Sequence, residues 1–127
     1  MTSPSGDRKT IYGHQGLRKM VVAVVEEGAC EVEQFLADLP ERARAQFFVR
    51  FRMYCEHGRL RNPDQMRKLQ VDTDRPPVHE IKVPDGPGYR LFGIEEAGKF
   101  VATHGAKKPK EKALRKHVNR ARSTYDE

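Results

Sequence analysis

The chain has 127 residues, 37% hydrophobic and 33% charged, with no tryptophan and a formal net charge of +6. This is the size of one domain with a modest core. Its longest apolar run, Met20 to Val25, is too short to cross a bilayer and too internal for a secretory signal, so the expected compartment is the cytoplasm.

Residues 1–18 are expected to be a flexible N-terminal tail and residues 19–127 the folded domain, because Met1 to Gly16 is rich in Ser, Gly, Thr and polar residues and lacks periodicity. Met20 to Val25 is short and β-branched, as in a strand buried on both faces. Cys30 and Cys55 lack metal-ligand and Cys-x-x-Cys spacing, and read as reduced, structural thiols. From Glu31 to Leu39, Val32, Phe35, Leu36 and Leu39 form one helical stripe. Pro40 ends that helix and suits the start of the next, Glu41 to His57, which gathers Phe47, Phe48, Phe51, Tyr54 and Cys55 on one side. Gly58 stands where a helix commonly stops.

Arg59 to Pro77 is a connector with Asn-Pro-Asp and Pro-Pro turn chemistry, and within it Gln65 to Gln70 fits either a helical turn or a short strand. Three strands follow, Val78 to Val83, Tyr89 to Ile94 and Lys99 to His104, joined by tight turns that imply an antiparallel meander. In the first of these, His79, Ile81 and Val83 face one way and Val78, Glu80 and Lys82 the other. In the last, His104 is expected on the side of Phe100 and Ala102. Lys110 to Thr124 carries a weak apolar stripe and reads as a docked or fraying helix. The fold class is therefore α+β, with helices on one face of a small antiparallel-rich sheet and the other face open.

Charge is unevenly placed. Residues 26–38 carry five acids and no base; residues 41–68 carry eight bases against three acids, and residues 99–127 nine bases against three acids. Two basic blocks are the electrostatic footprint of a polyanion-binding protein, although a solvated surface gives the same composition.

The element order and several phrases resemble the RelE/ParE toxin superfamily, and most closely its phage-derived HigB-like branch. The phrases are Val32-Glu-Gln-Phe-Leu-Ala-Asp-Leu-Pro-Glu41, Glu56-His-Gly-Arg-Leu-Arg-Asn-Pro63, His79-Glu-Ile-Lys-Val83, Gly88-Tyr-Arg-Leu-Phe92 and His104-Gly-Ala-Lys-Lys-Pro109. The resemblance covers about residues 20 to 122. It implies a RelE-like fold with two helices on one face and an RNA-facing concave side. It also implies a ribosome-dependent endoribonuclease, the toxin of a type II toxin–antitoxin pair, using the RNA's own 2′-hydroxyl as nucleophile without metal or other cofactor. The implied partners are messenger RNA, the ribosome and a helix-turn-helix antitoxin, with DNA reached only through the antitoxin complex.

Such a reaction needs a proton acceptor, cations for the crowded phosphate and a proton donor for the leaving oxygen. Arg90 matches the family's strand arginine, and a guanidinium fork fits phosphate oxygens; a surface ion pair with Glu80 or Glu95 is the ordinary alternative. Lys107 and Lys108 match the basic pair after the last strand, or else form a solvated run. Lys82 matches a phosphate-side lysine, whereas Glu80 stands where RelE has another lysine and is either a carboxylate base or a partner for Lys82 or Arg90. His104 titrates near neutrality and is a candidate proton carrier, or a half-buried structural histidine. Arg42, Arg44, Arg50, Arg52, Lys110 and Lys112 are candidate RNA contacts, or ordinary solubilising side chains. Tyr89 suits base stacking or core filling, and Tyr125 a free place at the tail. Leu114 occupies the place of a family tyrosine. Two other readings stay open: a ParE-like inhibitor of DNA gyrase, and a degenerate relative that binds RNA or antitoxin without cutting.

Overall fold

The computed structural model describes residues 7–14, 16–60, 62, 64–69 and 76–126. A six-stranded mixed sheet runs in the order β1-β2-β6-β5-β4-β3. Its strands are β1 (Asp7–Tyr12), β2 (Met20–Val25), β3 (Met66–Leu69), β4 (Val78–Val83), β5 (Tyr89–Glu96) and β6 (Lys99–Lys107). The helices are α1 (Glu31–Asp38), α2 (Glu41–His57) and α3 (Leu114–Asp126), the last entered through a 3₁₀ turn at Glu111–Ala113. The α+β class holds. Neighbouring strands are antiparallel except β2 and β6, which are parallel.

The chain's own chemistry sets the helical hairpin. Glu31 and Glu33 place negative charge in the first turn of α1, where the helix dipole favours it. The residue before Pro40 is pushed to extended backbone, which closes α1 at Leu39. At the end of α2, Gly58 adopts φ 83°, a left-handed conformation that costs glycine nothing, and its N–H reaches Tyr54 O at 2.7 Å. Both helices cover one sheet face. Phe47, Phe51 and Tyr54 of α2 and Val32 and Leu36 of α1 pack on Val21, Ala23, Ile81, Leu91, Phe100 and Ala102. Fully burying one large apolar side chain contributes about 1.5–3 kcal/mol, so this layer supplies most of the driving force.

Two expectations need correction, and one open alternative is decided. Part of the supposed tail is structured: Asp7–Tyr12 pairs antiparallel with β2, while residues 1–6 lie outside the described residues. Its polar sequence conceals it, because it contributes only Ile11 and Tyr12 to the core and is otherwise held by main-chain bonds to the apolar strand beside it. Gln65 to Gln70 resolves as a strand at Met66–Leu69, with Gln70 itself outside the described residues. The second sheet face is not fully open. Val118 and Ala121 of α3, helped by Leu114 and Tyr125, pack on Leu69, Val78, Phe92 and Ile94. These α3 residues recur at helical spacing, so one face can follow the sheet.

A bulge between β5 and β6 overturns the expected side of His104. Phe92 pairs with His104 but Gly93 pairs with Ala102, leaving Thr103 as an extra residue. The alternation therefore shifts: Phe100 and Ala102 face α1 and α2, whereas His104 faces α3. Gly93 is required at this crossing, since a Cβ there would fall inside 3.0 Å of Val101 O and the Phe100 ring. Tyr125 is not free at the tail. Its hydroxyl donates to Glu96 and Arg8 lies over its ring, 5.3 Å from the centroid.

Candidate nucleic-acid interface

At the end of the sheet where β4 turns into β5, the strand register sets Lys82 opposite Arg90. Cross-strand partners share a face, so both project to the side away from the core of α1 and α2. Lys108 follows β6 and donates its backbone N–H to Gly88 O at 2.9 Å. A Cβ on Gly88 would lie 3.4 Å from Lys108 Cβ and 3.7 Å from Arg90 Nη1, so the two side chains pass close to each other over this glycine. Arg50 arrives from α2, its Nε donating to Lys82 O at 2.6 Å. These four cations line a cleft of about 530 Å³, together with Asn62, Gln65 and the carboxylate-bearing Asp64.

Arg90 is held from behind. Its Nε lies 3.2 Å from Glu80 Oε1, an ion pair without hydrogen-bond alignment, and its Nη1 donates to Tyr89 O at 3.1 Å. Glu80 has no exposure at all, and its Oε2 accepts from Arg67 Nε at 2.7 Å, with Arg67 Nη2 at 2.6 Å. Two guanidinium groups thus share one buried carboxylate. Glu80 takes the ordinary alternative named for it, an ion-pair anchor that fixes the pose of Arg90. Arg67 reaches it because β3 and β4 pair those two residues directly.

His104 is likewise sealed. It stacks on Phe92, with ring centroids 4.9 Å apart at 21°, and its Nε2 lies 3.0 Å from His117 Nδ1. Thr103 donates its one hydroxyl proton to Phe92 O, so the 3.2 Å contact with His104 Nδ1 requires that nitrogen to donate. His104 Nε2 then accepts from His117. Burial, followed by the charge of Arg120 and by His117, pushes the His104 pKa down to about 3. The imidazole is neutral at ordinary pH, faces α3 and does not reach the cleft.

The remaining expected groups divide between places. Lys107 pairs with Tyr89 and so lies on the opposite strand face from Lys108, exposed and outside the cleft lining. Of the α2 arginines only Arg50 enters the cleft. Arg44 donates to Ala37 O and Leu39 O at the end of α1; Arg42 sits 4.0 Å from Asp85; Arg52 is exposed. Lys110 and Lys112 are exposed ahead of α3. Tyr89 fills the core. Cys30 and Cys55 are free thiols, and burial pushes Cys55 up to about 11, as an inert structural thiol requires.

Sequence reasoning missed Asp64, Asn62, Gln65 and Arg67. The first two belong to Asn-Pro-Asp, read only as a turn; Asp64 N–H does donate to Asn62 Oδ1 at 2.8 Å, an Asx turn that sets both residues, still exposed, in the cleft lining. Pro63 and Arg61 lie outside the described residues. Among the described residues no group of His, Cys, Asp and Glu is arranged to hold a metal ion, and no helix is long and apolar enough to cross a membrane.

Comparison with protein-family models, curated proteins and solved structures finds no match. The functional reading therefore rests on the cleft and on the phrases of the sequence.

Proposed function

We propose that the chain is the toxin of a type II toxin–antitoxin pair, a ribosome-dependent endoribonuclease of the RelE/HigB kind that cuts translated messenger RNA in the cytoplasm. One observation carries this reading: Arg90 and Lys108, distant in sequence, converge at a cleft that also receives Lys82 and Arg50. Guanidinium and ammonium groups converging on one hollow suit a phosphate whose charge rises in the transition state. The 2′-oxygen would bond to phosphorus as the bond to the 5′-oxygen breaks, leaving a cyclic phosphate and a free 5′-hydroxyl. Asp64, the cleft's carboxylate, is assigned to accept the 2′-hydroxyl proton, and Lys108 to supply one to the leaving oxygen. The 2′-hydroxyl requirement makes RNA and not DNA the substrate. A helix-turn-helix antitoxin laid over the cleft would inhibit the toxin by covering these cations.

A second reading, a relative that grips RNA without cutting it, is favoured by the burial of Glu80 and His104, which removes two of the expected proton carriers. Expression in bacteria separates the readings. Growth arrest with messages cut inside ribosomes, abolished by Arg90→Ala and by Asp64→Asn, supports the nuclease. Arrest with intact messages that survives Asp64→Asn but not Arg90→Ala supports gripping alone. Arrest with DNA damage would point to gyrase and overturn both.

A further inference from the structure

We infer that the bound RNA strand continues from the phosphate cleft into a second basic hollow, beside the C-terminus of α2, where Arg18 and Arg59 grip the neighbouring phosphates. This inference rests on the proposed RNA-binding role of the first cleft. The second hollow measures about 470 Å³ and shares two wall residues, Asn62 and Gln65, with the 530 Å³ cleft, so the two are adjacent. Both sizes fall in the range of ligand clefts, about 300–1,000 Å³.

The backbone at Arg18 is held by main chain. Arg18 donates its backbone N–H to Cys55 O at 3.0 Å, which ties the segment before β2 to the last turn of α2. A Cβ on Gly58 would touch Arg18 Cδ at 3.8 Å, and Arg59 follows that glycine directly. Among the described residues neither Arg18 nor Arg59 forms an ion pair, and both side chains are exposed. No described acid takes up their charge. Arg67, by contrast, spends its charge on Glu80.

The shared wall selects the class of polyanion. Asn62 and Gln65 offer amides, which carry donor and acceptor together as nucleobase edges do. An acidic peptide would use the arginines, and its main chain could pair with these amides, but it has no planar bases repeating between its charges. A nucleic-acid strand uses both: repeating phosphates meet the cations of each hollow, and a base lies against the amide wall between them. Met53 and Leu60 give the second hollow an apolar floor on which a base face can rest.

The test measures fluorescence anisotropy of the full chain with fluorescein-labelled oligouridylates. Their riboses are 2′-O-methylated so that no cleavage occurs. A dinucleotide and an eight-nucleotide strand are compared over a range of salt concentrations. The wild-type chain should bind the longer strand at least about tenfold more tightly. Arg18→Ala/Arg59→Ala should abolish that advantage and lower the salt slope for the longer strand by about 1.4, about 0.7 for each lost phosphate contact. Arg18→Lys/Arg59→Lys should keep the slope, and an unchanged melting temperature by circular dichroism should accompany both variants. Equal affinity of the wild-type chain for both lengths overturns the inference, as does a double-alanine variant with an undiminished length advantage. Arg90→Ala should weaken both lengths; if it weakens neither, the phosphate cleft itself is refuted. Loss of polyglutamate binding in the double-alanine variant with RNA binding intact would assign the second hollow to an acidic peptide and overturn the inference.

Discussion

Glu80 offers the sharpest test of how the site is built, because its sequence-based role as a base and its structural role as an anchor predict opposite behaviour. Glu80→Gln keeps the shape and deletes the charge shared by Arg67 at 2.6 Å and Arg90 at 3.2 Å. Removing one partner of a buried ion pair typically costs about 3–5 kcal/mol, because the remaining charge is left uncompensated. The Arg67 side chain keeps 37% exposure, so water relieves part of its charge, whereas that of Arg90 keeps only 10%. The lower end, about 3 kcal/mol, is the expected loss. At about 2.1 cal/mol/K of unfolding entropy per residue, a chain of this length loses about 11 °C in Tm. Thermal melts followed by circular dichroism measure this directly. Adding Arg90→Met should recover part of the loss, since one of the two stranded cations is then gone. A fall of less than about 3 °C for Glu80→Gln would refute the anchor. Wild-type melting with abolished RNA cleavage would restore Glu80 as the base.

The cleft makes a selective prediction about three of the expected strand and loop cations: Arg90→Ala and Lys108→Ala should each reduce RNA cleavage by about 10²–10³, the usual cost of a lost transition-state donor, while Lys107→Ala stays within about twofold in the same assay. The buried histidine sets a pH dependence. The folded pKa of His104, about 3, lies below the ordinary value of 6.5, so the unfolded chain takes up the proton first. Its stabilising contribution is complete above about pH 6.5 and declines as pH falls toward 3, by about 1.4 kcal/mol per pH unit, or about 2 kcal/mol by pH 5. Glu96, held below its ordinary 4.5 by the Tyr125 hydroxyl and by Arg8, adds a loss only in the lower window. Urea melts between pH 7 and 5 should therefore show a slope that His104→Phe makes shallower; an unaltered slope would refute the assignment. At the bulge, Gly93→Ala should destabilise by about 1–3 kcal/mol in urea melts, since the added methyl meets the backbone at Val101 O as well as the Phe100 ring.

Much of this protein was determined by sequence alone. The apolar run of β2, the helical stripes either side of Pro40, the glycine stop at Gly58 and the turn residues between β4 and β5 each encode their element locally, through periodicity, fixed φ or left-handed backbone. The α+β class followed from their order. What needed the tertiary structure were features whose energy comes from distant partners. β1 exists because β2 offers an unpaired edge, and α3 closes the second face because Phe92 and Ile94 wait beneath it. A single extra residue, Thr103, reversed the facing of His104, and alternation cannot reveal a bulge that only strand pairing defines. The same reason divided the predicted site. The resemblance of their phrases marked Arg90, Lys108 and Glu80 as charged groups of interest, but only the pairing of β3 with β4 brought Arg67 to Glu80 and made a candidate base into a buried anchor, leaving the cations to define the cleft.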